Sequence, residues 1–225
     1  PAGYEDSNRS YPVLYLLHGM GGDEMAWNEL GRATMILDNL IALGSVQPMI
    51  VVMPNGNSIQ QSSPAYTATG VETVNFRLPD SYNAEFEKSF GEIIHYVDTH
   101  YRTYTDASHR AIAGLSMGGY HSHYISANMP HTFSYVGLFS PAVDARSQLE
   151  YYSCMDEKLQ HQKNSTLSLY WVAIGKTDFL YEEVVRLRER FDDMSFPYIY
   201  FESDGGHVWG NWQLYLTHFW PMLFR

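Results

Sequence analysis

A serine between glycines is the residue in this chain best placed to do chemistry. Residues 114–118 read Gly-Leu-Ser-Met-Gly, directly after the apolar run 111–113 and directly before a helix-like stretch that opens at residue 118. A nucleophile elbow requires this strand, turn and helix context, because flanking glycines let the backbone turn sharply and approach closely. A Gly-x-Ser-x-Gly match arises by chance in roughly one chain of this length in ten. The prediction that Ser116 is a nucleophile therefore depends on two further sites.

The first of these sites is a glycine-rich segment after an early strand-like run. Residues 11–17 are mostly apolar and break abruptly into residues 18–22, His-Gly-Met-Gly-Gly. Such a loop can leave a backbone N–H pointing into a cleft, and acyl transfer needs two such donors for the developing oxyanion. We assign the two donors to the amides of Met20 and Met117. The alternative is an ordinary strand-exit turn, since glycines suit any tight bend.

The second site is a pair of loops downstream of the serine, each predicted at the carboxyl end of a strand. Residues 173–178 end in Asp178, and residues 201–207 end in His207. Open α/β sheets place their reactive groups at these strand ends, and the order serine, acid, histidine is that of an α/β-hydrolase triad. In such a triad the histidine accepts the proton of Ser116 and later protonates the leaving alcohol, while the aspartate orients the imidazole.

Other acids and histidines fit these roles less well. Asp204 is too near His207 in sequence to orient it, and the glutamates at 182–183 fall inside a predicted helix. The alternative for His207 itself is a surface loop residue. His121 and His123 have a spacing that puts them on different helix faces, so we interpret them as helix residues and predict no metal site.

The composition is typical of one globular enzyme domain. The chain has 225 residues, of which 45% are hydrophobic, and we predict a single domain over 1–225. Its formal charge of −11, with no basic cluster, argues against nucleic acid or an anionic membrane as a partner. The lone cysteine, Cys154, cannot form an internal disulfide. The sequence shows no signal peptide and no apolar segment of membrane-spanning length.

Strand-like and helix-like segments alternate along the chain. Short apolar runs bounded by turns are typical of buried parallel strands. Helical stripes, which we interpret as core faces, lie at 86–97 and 184–191. The pattern predicts an α/β fold with a mostly parallel central sheet and helices on both faces. The six predicted strands are 13–17, 49–53, 111–113, 135–139, 169–174 and 198–201.

Two stretches do not fit this alternation. Residues 54–80 are rich in Ser, Thr, Gln and Gly and follow a strand on the catalytic edge, so we expect them to line the substrate site. Residues 141–166 form a second excursion with a predicted helical portion near 150–160. That excursion fits a surface insertion better than a contact with substrate.

Four segments together resemble carbohydrate esterase family one: residues 11–22, 110–119, 175–180 and 205–209. That family includes feruloyl, acetyl xylan and tributyrin esterases, with S-formylglutathione hydrolases and mycolyltransferases as more distant relatives. The resemblance extends from residue 4 to residue 224. The resemblance implies an α/β-hydrolase fold and an enzyme that needs no cofactor.

Carried over by position, the resemblance implies the same site as the residues do. It gives Ser116, Asp178 and His207 as the triad and the amides of Met20 and Met117 as the oxyanion hole. It further suggests that three apolar residues shape the acyl pocket, although each has an alternative interpretation as core packing. These residues are Trp27, Leu180 and Trp209.

The start of the chain departs from the family pattern. Family members usually carry a strand pair ahead of the segment that matches residues 3–6, whereas this chain starts at Pro1. Either those edge strands are missing or the chain is a fragment of a longer protein. We expect the sheet edge beside residues 11–17 to be covered by another chain or an additional segment.

These observations predict a serine esterase that releases hydroxycinnamate, most of all ferulate, from arabinoxylan through an acyl-enzyme. Its partner would be an ester substrate on a plant polysaccharide or oligosaccharide, and family habit suggests a secreted or periplasmic protein. The alternatives are an acetyl xylan or short-chain acyl esterase, a thioesterase like S-formylglutathione hydrolase, and a non-catalytic binding module. No oligomeric state follows from the sequence.

Overall fold

A parallel sheet forms the centre of the structure. The computed structural model describes residues 1–56, 82–144 and 148–225. Within these residues, six strands pair in parallel in the order β2-β1-β3-β4-β5-β6. Each predicted apolar run coincides with one strand, so the predicted α/β fold is confirmed. The strands are β1 (Val13–Leu17), β2 (Ile50–Val52), β3 (Arg110–Leu115), β4 (Tyr135–Phe139), β5 (Leu169–Gly175) and β6 (Ile199–Ser203).

Helices cover both faces of the sheet. Because side chains alternate along a strand, the buried residues of β1 divide between two hydrophobic clusters. The helices α3, α4, α5 and α6 pack on the face of Tyr15, and α1, α2 and α7 pack on the face of Leu14. The helices are α1 (Ala26–Glu29), α2 (Ala33–Ala42), α3 (Glu85–His100), α4 (Met117–Asn128), α5 (Met155–Lys163), α6 (Tyr181–Asp193) and α7 (Trp209–Phe219).

The register of the sheet brings the carboxyl ends of four strands to one end of the sheet. Leu17 of β1 pairs with Gly114 of β3, and Gly175 of β5 pairs with Ser203 of β6. Since all strands run the same way, the loops that follow β1, β3, β5 and β6 open on the same side. These loops carry the residues that the sequence singles out.

The strand β1 is an interior strand. It pairs with β2 on one side and with β3 on the other. The edges of the sheet in the described residues are therefore β2 and β6. The expectation that another chain or an additional segment covers the edge beside residues 11–17 was wrong, because β2 takes that place.

The two stretches that do not fit the predicted alternation are residues 54–80 and 141–166, and the structure describes more of the second than of the first. In the second, a 3-10 turn at Glu150–Tyr152 and α5 occupy the predicted helical portion, and Leu159 is buried in the core. Residues 145–147 of that excursion, and residues 57–80 of the predicted substrate loop, lie outside the described residues. None of the helices in the described parts of the chain is both long and apolar enough to cross a bilayer.

Candidate active site

Ser116 occupies a strained turn between β3 and α4. Its backbone has φ 52° and ψ −114°, a conformation that costs a non-glycine residue about 1–3 kcal/mol. The turn requires glycine on both sides: a Cβ on Gly118 would lie 2.3 Å from the Leu17 carbonyl oxygen, and one on Gly114 would lie 2.5 Å from the Gly118 carbonyl. The Ser116 N–H donates to the Phe139 carbonyl at 2.9 Å, which anchors the turn to β4. The serine is thus held at the carboxyl end of the sheet.

His207 and Asp178 meet at the exits of β6 and β5. The His207 Nδ1 lies 3.0 Å and 2.9 Å from the two carboxylate oxygens of Asp178. A carboxylate can only accept a hydrogen bond, so Nδ1 carries the proton and Nε2 keeps its lone pair. The carboxylate is buried, while 17% of the His207 side chain is exposed. This is the tautomer that a general base needs.

The surroundings of Asp178 keep it ionised. Burial alone would raise its pKa, but hydrogen bonds from His207, from the Leu180 amide and from the Ser140 hydroxyl outweigh burial and lower the pKa below its usual value. The Leu180 N–H donates to Asp178 Oδ1 at 2.9 Å. Asp178 is therefore held as a carboxylate against His207 Nδ1.

Ser140 supports this pair, and the sequence reasoning missed it. It follows β4 with φ 46° and is fully buried. Its Oγ accepts a hydrogen bond from Trp212 Nε1 at 3.2 Å, and its N–H donates to the Ala173 carbonyl at 2.7 Å. Its place directly after a predicted strand was the available signal, since a strand exit on the catalytic edge is where functional residues collect.

The imidazole of His207 packs against two aromatic rings. The ring of Phe179 is 4.5 Å away, and that of Trp212 is 4.9 Å away in an edge-on arrangement. Trp212 is buried, whereas Phe179 is 75% exposed. Both rings contact the imidazole, one at the protein surface and one in the interior.

A pocket of about 680 Å³ opens beside Ser116. Ser116 and His207 both line it, although no hydrogen bond joins these two side chains in the described part of the chain. Such bonds are often long before substrate binds. The lining residues are Gly19, Met20, Gly21, Gly22, Ala26, Leu30, Tyr82, Leu115, Ser116, Ala142, Phe179, Leu180, His207, Val208, Trp209 and Trp212.

The two backbone amides predicted to stabilise an oxyanion belong to segments near Ser116. Met20 lies in a turn that the Gly22 N–H closes by donating to the Gly19 carbonyl at 3.1 Å. Met117 is the first residue of α4, where a helix leaves its N–H groups without intrahelical partners. Among the described residues, neither the Met20 nor the Met117 N–H has a hydrogen-bond acceptor. A Cβ on Gly19 would lie 3.4 Å from Ser116 Cβ, so the two segments are neighbours.

The three residues predicted to shape the acyl pocket occupy two layers. Leu180 and Trp209 line the pocket. Trp27 lies behind the wall: it is 1% exposed, and its Nε1 donates to the Leu17 carbonyl at 2.9 Å. Its ring packs edge-on against Trp209 at 5.4 Å. Trp27 thus lies behind the lining residues and packs against one of them, Trp209.

Several other wall residues were not predicted from the sequence. Leu30, Tyr82 and Val208 lie in loops or at helix ends, where no hydrophobic period distinguishes a lining side chain from an ordinary one. Leu30 and Val208 are more than half exposed. The pocket therefore has an apolar mouth as well as an apolar wall.

The acids and histidines set aside in the sequence analysis lie elsewhere. Asp204 is exposed and pairs with Lys176 at 2.9 Å, and the glutamates at 182–183 lie in α6. His121 and His123 are buried in α4 with different partners, Glu87 and Tyr170. Within the described residues, no group of three or more potential metal ligands gathers.

The comparisons with known proteins identify a family. The family model described as "Putative esterase" matches residues 1–222 of the chain. The chain belongs to this esterase family. That match spans nearly all of the sheet and helices described above.

Three relatives illustrate the range of the family. An alignment of 146 residues with an endo-1,4-beta-xylanase/feruloyl esterase of Xylanibacter ruminicola is 40% identical and covers 62% of this chain and 18% of that protein. A solved CE1 ferulic acid esterase from the anaerobic fungus Anaeromyces mucronatus is 26% identical and matches all of this chain and 82% of its own with a TM-score of 0.81. An acetyl esterase of Caldicellulosiruptor saccharolyticus is 24% identical over 92% of the chain and 80% of its own length. The resemblance to carbohydrate esterase family one and the α/β-hydrolase fold are confirmed.

Proposed function

We propose that this chain is a serine esterase that releases ferulate and related hydroxycinnamates from plant cell-wall polysaccharide. The observation that carries the proposal is the 680 Å³ apolar pocket that has both Ser116 and His207 in its wall. The hydrogen-bonded pair of Asp178 and His207 supplies the base that such a nucleophile needs.

Acylation begins at the Ser116 hydroxyl. Its Oγ attacks the ester carbonyl carbon while His207 Nε2 takes the hydroxyl proton. The tetrahedral intermediate collapses as the bond to the sugar oxygen breaks, and His207 returns the proton to that oxygen. Ser116 is left as a feruloyl ester, and the alcohol departs.

Deacylation reverses these roles with water. A water molecule attacks the acyl carbon and gives its proton to His207, and the Ser116 oxygen leaves and takes that proton back. Asp178 stabilises the imidazolium in both halves, because it is held as a carboxylate against Nδ1. The products are the free acid and the unmodified enzyme.

The oxyanion is stabilised by two amides in this proposal. The N–H groups of Met20 and Met117 have no other acceptor among the described residues and flank the nucleophile. The amide of Met117 also lies at the N-terminus of α4, where the helix dipole favours negative charge. Removing one such donor from a hydrolase costs about 10²–10³ in kcat.

The pocket size favours a large acyl group. Pockets of about 300–1,000 Å³ hold drug-sized ligands, so 680 Å³ exceeds what an acetyl group needs. Leu180 and Trp209 offer flat apolar walls for an aromatic ring, and Trp27 holds Trp209 from behind. We propose that the hydroxycinnamoyl ring lies against these walls and the sugar lies at the mouth.

The relatives support this substrate class. The Xylanibacter protein is named as a xylanase and feruloyl esterase, and the Anaeromyces protein as a ferulic acid esterase. The chain spans only 18% of the Xylanibacter protein, so its substrate and location are carried over as proposals. A polysaccharide substrate would place the enzyme outside the cell or in the periplasm.

Acetyl esters are the second candidate substrate. The Caldicellulosiruptor acetyl esterase matches this chain over most of both lengths, which favours an acetyl group on the same site. The two candidates differ in what fills the pocket. A small acyl group would leave the wall at Leu180 and Trp209 without contact.

A substrate panel tests the proposal. The kcat/KM values for methyl ferulate, acetylated xylan, tributyrin and S-formylglutathione are measured for the wild type, with Ser116→Ala as the blank. We expect methyl ferulate to be cleaved with the highest kcat/KM and the blank to be inactive. Rapid cleavage of acetylated xylan with methyl ferulate untouched would replace the feruloyl proposal with the acetyl one, and no turnover of any ester would indicate a binding module.

A further inference from the structure

His18 makes two hydrogen bonds from a buried position behind the oxyanion loop. It directly follows β1, is 2% exposed and is not among the residues that line the pocket. Its Nδ1–H donates to the Gly19 carbonyl at 2.8 Å, and its Nε2 accepts the Gly56 N–H at 2.8 Å. Both ring nitrogens are therefore used, which fixes the neutral Nδ1–H tautomer.

The Gly19 carbonyl is the anchor of the turn that presents Met20. It accepts the His18 Nδ1–H and also the Gly22 N–H, at 3.1 Å. Met20 lies at the corner of this turn, between the two bonded ends. The direction of the Met20 N–H thus depends on where the Gly19 carbonyl is held.

The other ring nitrogen ties this turn to a second loop. Gly56 follows β2, so its bond to His18 joins the exits of two neighbouring strands. A Cβ on Gly56 would lie 3.6 Å from both His18 Nε2 and His121 Nε2, which places His18 beside the helix that begins after the nucleophile. His121 is itself fixed by Glu87, 3.0 Å from its Nδ1. His18 is therefore held between the oxyanion loop and α4.

We propose that His18 is a positioning residue that sets the direction of the Met20 amide for catalysis. The proposal rests on the esterase function and the oxyanion assignment above. His18 touches no substrate; it acts through the Gly19 carbonyl. Burial lowers the pKa of His18, with a further contribution from His121, despite the opposing effect of its bond to Gly19, so the neutral form that accepts the Gly56 N–H persists at neutral pH.

Three substitutions separate the two hydrogen bonds. His18→Asn places an amide N–H near the position of Nδ1 and keeps the bond to Gly19. His18→Gln places an amide near the position of Nε2 and keeps only the bond to Gly56. His18→Phe has a similar shape and keeps neither.

His123→Phe is the matched control. His123 is a buried histidine whose Nδ1 bonds the Tyr170 hydroxyl at 2.6 Å, and it lies outside the pocket. This control removes one buried imidazole without touching the oxyanion loop. It measures how much activity is lost through the general destabilisation of a core histidine.

The assay is steady-state hydrolysis of p-nitrophenyl acetate, with the melting temperature of each variant recorded alongside. We expect His18→Phe to lower kcat about 10²-fold with KM within about threefold, because a misaimed oxyanion donor weakens only the transition state. His18→Asn should recover most of this loss, His18→Gln little of it, and His123→Phe should keep wild-type kcat.

The kcat values of His18→Asn and His18→Gln decide the proposal even if His18→Phe fails to fold. The proposal would be overturned if kcat for His18→Gln equalled or exceeded that for His18→Asn. It would also be overturned if kcat for His18→Phe were as high as that for His123→Phe. If the Ser116→Ala variant kept the activity of the wild type, that result would overturn the proposed function instead. A preference for acetate over ferulate leaves the role of His18 intact, because the assay uses the acetyl ester.

Discussion

Replacing Asp178 by Asn should remove the correct histidine tautomer while leaving the fold in place. Asp178 Oδ1 accepts the Leu180 N–H at 2.9 Å, and both carboxylate oxygens are within 3.0 Å of His207 Nδ1. In the asparagine variant the amide oxygen satisfies the Leu180 N–H, so the amide NH₂ faces His207. The imidazole must then accept at Nδ1 and carry its proton on Nε2, where it cannot take the proton of Ser116.

The size of the effect follows from this tautomer. We expect kcat to fall by up to about 10⁴, which is about 5 kcal/mol of lost transition-state stabilisation. KM should change little, since Asp178 does not line the pocket. Stopped-flow or steady-state measurement of p-nitrophenyl acetate hydrolysis at pH 7 gives both kcat and KM.

Asp204→Asn is the matched control. Asp204 follows β6, only three residues before His207, but its side chain is 93% exposed and pairs with Lys176. An exposed pair of this kind contributes little, so kcat should stay within about twofold of the wild type. A larger loss for Asp204→Asn than for Asp178→Asn would mean that the wrong carboxylate has been assigned.

Three further outcomes follow from the pocket and from the charge of Asp178. Trp209→Ala should lower kcat/KM for methyl ferulate roughly 5- to 150-fold, the equivalent of about 1–3 kcal/mol of apolar contact, and leave acetate nearly unchanged; equal losses on both esters would contradict the acyl-wall assignment. Phe179→Ala should raise KM several-fold for a feruloylated arabino-oligosaccharide but not for methyl ferulate, because the exposed ring lies at the pocket mouth where the sugar would rest. The folded state lowers the pKa of the Asp178 carboxyl below its ordinary value of 3.8, so the ionised carboxylate stabilises the protein at pH values above 3.8. This contribution to stability is lost as the pH falls below 3.8. The melting temperature of the wild type relative to Asp178→Asn should therefore be higher at pH 6 than at pH 3, and a constant difference would contradict the pKa direction.

Much of the fold could be predicted because the strands carry a strong local signal. Buried parallel strands appear as short apolar runs between turns, and residues 135–139 and 169–174 match β4 and β5 closely. The order of strands in the sheet has no such signal. The pairing of β2 with the outer side of β1 was missed for this reason, and β1 was taken for an edge.

The candidate site divides in the same way. Motif and strand ends were sufficient to select Ser116, Asp178 and His207, and their catalytic roles stay predictions that the variants test. Side-chain partners across the chain could not be predicted in this way. His18 depends on Gly56, 38 residues away, and Trp27 was expected at the pocket only from the family resemblance. Its burial behind Trp209 is decided by packing, which a single sequence does not specify.

Covalent trapping is a direct test of Ser116 as the nucleophile. The protein is incubated with a fluorophosphonate, and intact mass followed by peptide mapping locates the adduct. We expect one adduct per chain, on Ser116, formed rapidly by the wild type and much more slowly by His207→Ala. Methyl ferulate hydrolysis should be lost as the adduct forms. An adduct on another residue, or methyl ferulate hydrolysis that persists after Ser116 is fully modified, would contradict this role of Ser116.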